Sequence, residues 1–181
     1  LTQKADIDIK NDQIAVYKIG IDSPFLEMFL AGLVTELKST RDLNFKIFMD
    51  LDITKLMSEI GGLLPDETEI AGRLQSNMKL TGQQNIVKVN GKTDLKGLYV
   101  KMGAVGPVKE PEITINHDIV YDLKNSDLEL KSFGLNTGFA EIKGSGTVIN
   151  NGKIDLNVLL SSNIKRLTQG LQSVVSLPEG L

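Results

Sequence analysis

The chain has 181 residues, 41% of them hydrophobic and 24% charged, and a formal net charge of −3. That length buries the core of one domain or two small ones, and the slight acidity argues against nucleic acid as a partner. With no cysteine, no tryptophan and one histidine, His117, there is no disulfide framework and no second histidine or cysteine to complete a metal site around it. No apolar run approaches the ~20 residues of a membrane span, and no signal-peptide pattern is present. The first residue is not methionine, so the chain reads as a piece of a longer protein whose anchor or leader lies elsewhere.

Asp6 to Lys10 alternates as a short strand and turns at Asn11-Asp12. Gln13 to Asp22 carries Ile14 and Val16, then Ile19 and Ile21; the change of phase at Tyr17 predicts a bulge. Phe25 to Leu37 has the residue preferences of a helix behind Ser23-Pro24. Its later counterpart, Phe139 to Val148, is a poor helix because of Gly144 and Gly146, so both are read as strands. Leu43 to Ile53 alternates, and from Ile53 the period changes. Ile53, Leu56, Met57, Ile60, Leu63 and Leu64 form one helical face, stopped by Gly61, Gly62 and Pro65.

A second meander follows. Ile70, Leu74, Met78 and Leu80 point one way, the chain turns at Gly82 to Asn85, and Val87, Val89 and Leu95 return with Gly91 as a candidate bulge. Gly97 is expected to break this strand before Leu98, Val100 and Met102, and Gly103 to Pro111 reads as a loop and module boundary. Ile113, Ile115, Ile119 and Tyr121 then alternate with polar residues. Strands over 127–136, 139–148 and 153–163 complete the series, the last two joined by Asn150-Asn151-Gly152. A final helical stripe, Ile164, Leu167, Leu171, Val174 and Val175, ends at Pro178.

Ile7 to Val34 lies on Tyr121 to Val148 without a gap. Asp8 meets Asp122, Asn11 meets Asn125, Gly20 meets Gly134, Phe25 meets Phe139, and Gly32 meets Gly146. The resulting expectation is a mainly β protein: a curved, largely antiparallel sheet, either a β-groove or an open sandwich, of about ten strands with two short amphipathic helices, built from a duplicated strand-helix module. Residues 1–65 form the first meander plus helix, 66–111 a middle meander and 112–181 the second copy, in one continuous domain.

The segments DLKNSDLELKSFGLNTGFAEIKGSGTV (Asp122 to Val148) and KIDLNVLLS (Lys153 to Ser161), with EIAGRLQSNMKLTG (Glu69 to Gly82) ahead of VNGKTDLKGLYVKMG (Val89 to Gly103), resemble the AsmA-like family of bacterial envelope proteins. That family shares a repeating β-groove with the bridge-like lipid-transfer proteins. The resemblance implies a non-catalytic periplasmic segment, tethered to the inner membrane in the full-length protein. It also implies a part in outer-membrane assembly, with phospholipid or another acyl-chain lipid as partner, bacterial envelope membranes reached through other parts of the protein, and no cofactor.

The residues expected to line the lipid groove are Phe45, Ile47, Met49 and Leu51; Leu74, Met78 and Leu80; Ile113, Ile115, Ile119 and Tyr121; and Leu156, Val158 and Leu160. Ile164, Leu167, Leu171, Val174 and Val175 are expected to cap it. From the residues alone, the same apolar face fits a filled sandwich core equally well, which would suit a structural or adhesive domain of the cell surface. Asp50, Asp52, Glu67 and Glu69 flank the first helix, but Asp50 and Asp52 lie on the polar side of a strand, the ordinary place for charge. Gly144-Ser145-Gly146 lacks the full G-x-S-x-G pattern of a nucleophile turn. His117, between Asn116 and Asp118, reads as a surface side chain. No metal site and no catalytic residue is assigned.

Overall fold

The computed structural model describes residues 2–65, 67–103, 105–150 and 152–165. Ten strands run in simple succession: β1 (Thr2–Lys10), β2 (Gln13–Asp22), β3 (Leu26–Thr35), β4 (Asp42–Asp52), β5 (Thr68–Gln83), β6 (Ile86–Met102), β7 (Val105–Asp122), β8 (Asp127–Asn136), β9 (Ala140–Val148) and β10 (Ile154–Ser162). They form one open, curved antiparallel sheet in which each strand pairs with the next in sequence. Short turns enforce this order, since antiparallel neighbours need only a few residues between them. Asn11 and Asp12 both take positive φ, as a two-residue hairpin whose twist matches its strands requires.

Bulges keep the pattern in phase. Ile7 pairs with Val16 and Asp6 with Lys18, leaving Tyr17 as the extra residue on β2. Val16 and Ile19, three apart in sequence, thereby emerge on the same face. On β8, Ile119 pairs with Leu130 and Asp118 with Ser132, so Lys131 is extra in the same way. Tyr17 and Lys131 stand 114 residues apart, the spacing that also relates Gln13–Asp22 to Asp127–Asn136 and Leu26 to Ala140.

The three central strands are the longest, at 16, 17 and 18 residues against nine to eleven for the others. Because β4 pairs with β5 only from Arg73 onward, the first residues of β5 have a free edge. The helix α1 (Ile53–Ile60) packs there, with a 3-10 turn over Gly61–Leu63. Asp52 caps it by accepting the Lys55 N–H at 3.0 Å, and Thr54 Oγ1 accepts the N–H of Gly72 at 3.2 Å. A helix lying on an unpaired edge hides backbone groups that would otherwise recruit another strand.

Three expectations are corrected. Gly103 to Pro111 is not a loop: β7 begins at Val105, and β6 continues past Gly97 to Met102. Pro107 and Pro111 are tolerated because β8 pairs with β7 only from Thr114, so this part of β7 is an edge and a missing N–H breaks no second ladder. Gly97 takes φ +62 and provides the irregularity opposite Gly72, whereas Gly91 sits in regular register between Met78 and His117. The buried Glu110 side chain secures the same edge by accepting the N–H of Gly138 in the β8–β9 turn. Ile164 and Lys165 are helical, while Leu167, Leu171, Val174 and Val175 lie outside the described residues.

Candidate functional site

Paired residues of an antiparallel ladder project to the same side, so the register sorts every side chain onto one of two faces. One face carries five apolar rows. The first runs Leu26, Leu51, Leu74, Leu95, Ile113 over β3 to β7. The second runs Met28, Met49, Ser76, Thr93, Ile115, Leu135, Ile142, Leu160 over β3 to β10. The third continues Leu30, Ile47, Met78, Gly91, His117, Phe133, Gly144, Val158. Phe45, Leu80, Val89, Ile119, Leu130 and Leu156 belong to the fourth, and Leu43, Val87, Tyr121, Leu128 and Ile154 to the fifth.

All the groove residues expected from sequence on β4, β5, β7 and β10 thus share this face. Alternation identified it but left out its contributions from β3, β6 and β8. Those strands carry the same period of two: Met28, Leu30 and Val89 follow from it directly, and Leu130 once the bulge at Lys131 is allowed for.

Nothing among the described residues forms a second layer over these rows. Val16 is the only buried apolar side chain there, and on β10 Leu156, Val158 and Leu160 are 56%, 65% and 63% exposed. Side chains instead lie flat across glycines of the same face. A Cβ on Gly32 would collide with the Phe45 ring and the Asn44 carbonyl oxygen, one on Gly146 with Leu156, and one on Gly91 with Met78. These glycines let larger neighbours recline, which smooths the surface.

Two polar features interrupt the rows. Ser76, 2% exposed, and Thr93 satisfy each other through a hydroxyl hydrogen bond of 2.8 Å. His117 lies in the third row, half-buried, with its Cε1 only 3.1 Å from where a Gly91 Cβ would stand. His117 therefore lies on the apolar face and not on the polar phase that Asn116 and Asp118 suggest. His117 is two residues from both Ile115 and Ile119 and shares their face, and its adjacent polar neighbours point the other way.

The opposite face is a polar lattice. Arg73 grips Asp50 through two bonds of 2.7 Å, and Gln75 donates to the same carboxylate at 2.8 Å. The Arg73 hydrogen bonds hold the Asp50 carboxyl below its ordinary pKa, against a smaller opposing push from burial. Asp94, bonded by Lys92 and Thr114, is lowered likewise. Asp52 is lowered chiefly by the Lys55 backbone N–H that it caps. Phe29 and Phe48 stack at 5.1 Å with the Lys18 ammonium 5.0 Å from the Phe29 ring centre. Each carboxylate flanking α1 whose partner is described is thus tied to a cation or a backbone N–H. Glu69 pairs with Lys101 at 3.4 Å.

Among the described residues, no group of three or more metal-ligating side chains occurs and no helix is long and apolar enough to cross a membrane. No protein-family profile matches the chain, and no curated protein or solved structure is significantly similar to it.

Proposed function

We propose that this chain is a non-catalytic, AsmA-like segment of a bacterial envelope protein that works in the periplasm in outer-membrane assembly, its apolar face shielding phospholipid acyl chains. The observation that carries this reading is the uncovered face: apolar rows continue across the sheet with no second layer among the described residues. A β-sheet with one apolar face ordinarily buries it against another layer, and a large contiguous apolar surface marks a place where something docks. Acyl chains suit a wide, smooth surface built of aliphatic side chains and glycines. A filled adhesive sandwich would need a second sheet. The same reading treats residues 7–34 and 121–148 as two copies of one module, supported by their shared strand bounds and bulge positions.

Native mass spectrometry of the protein purified from a lipid-containing host tests the proposal. Co-purifying phospholipid, lost in an Ile47→Asp variant that keeps its β-sheet circular dichroism, is the expected result. A clean apo mass, together with failure to take up labelled phospholipid from vesicles, would remove it.

A further inference from the structure

We infer that His117 is the point on the apolar face that receives the carbonyl oxygen of an acyl ester, so the ligand lies with its ester group over β7 and its chain spread across the neighbouring strands. This rests on the lipid reading above and adds a position and a chemical group to it.

The inner rows from β5 to β9 carry no Lys, Arg, Asp or Glu. Ser76 and Thr93 are already bonded to each other. The His117 ring remains, and among the described residues it has no hydrogen-bond partner. It is bordered by Met78, Gly91, Phe133, Ile115 and Ile119. A neutral imidazole always has one N–H to donate. If hydrocarbon alone covered this spot, water would be stripped from that N–H with nothing in return, which opposes binding. A ligand that places an acceptor there avoids the loss.

Among the described residues no cation stands in these rows beside His117, and that defines the acceptor. A phosphate brought to these rows would be desolvated without a counter-charge, whereas an ester carbonyl is neutral and needs one donor. Gly91 supplies the room, since any side chain there would meet the imidazole and Met78. From β7 toward β1 the third row continues through Met78, Ile47, Leu30 and Ile19. That path crosses five strand spacings, about 24 Å at the ordinary separation, enough for a long acyl chain.

The test compares two phospholipids with the same choline head group and the same eighteen-carbon chains, one ester-linked and one ether-linked, offered to the full chain from vesicles. Bound lipid is counted by native mass spectrometry. The wild type should prefer the ester lipid about fivefold, the scale of one hydrogen bond between neutral groups. His117→Leu should lose the preference while still binding the ether lipid, and His117→Gln, which keeps an N–H donor, should retain it. Equal uptake of both lipids by the wild type, or a preference that survives in His117→Leu, overturns the inference and leaves the lipid reading standing. Uptake of neither lipid removes both. Should His117→Leu fail to fold, His117→Met, which also lacks an N–H donor, takes its place with the same expected loss of preference.

Discussion

Asp50 carries the clearest pH-dependent contribution. Its carboxyl is held below the ordinary value of 3.8 first by the Arg73 hydrogen bonds. A carboxylate with a depressed folded-state pKa stabilises fully above its unfolded value, and that stability disappears as pH falls through the folded one. Thermal melts should therefore show a loss of stability below about pH 4 that is shallower in Asp50→Asn; an acid limb of unchanged steepness would show that the pair contributes nothing. Glycines give a second residue-scale contrast. Gly32→Ala forces a methyl group against the Asn44 carbonyl and the Phe45 ring and should cost about 1–3 kcal/mol. A Cβ at Gly134 meets nothing within 4 Å, so Gly134→Ala should be neutral or slightly stabilising. Denaturant midpoints of the two variants separate the cases.

At the scale of elements, the two faces differ in what they tolerate. Ile47 is half-buried in the third row, and Ile47→Asp should cost roughly 2 kcal/mol or more, whereas Lys46→Gln on the polar face should change stability by less than about 0.5 kcal/mol. Leu156 belongs to the apolar face too, but at 56% exposure on the last strand its replacement by Asp should be tolerated in the ligand-free protein. Equal losses in urea melts for Ile47→Asp and Lys46→Gln would mean the faces are misassigned. Most of this was legible in the sequence. The change of phase at Tyr17 indicated the bulge, and the change of period at Ile53 marked where β4 becomes α1. The stretch from Gly103 to Pro111 was not legible, because glycine and proline usually punctuate a chain; an edge position makes prolines acceptable in a strand, and edges are set by pairing partners elsewhere. His117 was legible by counting in twos from Ile115, but its polar neighbours obscured it. Whether the apolar face is a core or an open surface cannot be read from alternation, because both produce the same period.

For the whole molecule, the sheet has a first and a last strand whose outer edges are unpaired among the described residues, and all nine residues of β10 are exposed. Unpaired edges beside apolar side chains invite pairing between chains. Sedimentation should show association that rises with concentration and falls in Leu160→Lys; a monomer at every concentration in the wild type would show that the edge is covered in solution. The unbroken succession of neighbours has one more consequence. Because no strand depends on a partner distant in sequence, order can begin at any hairpin and spread outward like a zipper, with little chain to close in a loop at each step. Such a structure behaves as a one-dimensional array in which each unit is held only by those beside it. Amide hydrogen exchange should then be slowest in β5 to β7, where the ladders are longest, and quicken toward both ends. The protein would lose its terminal strands one after another while its middle still holds.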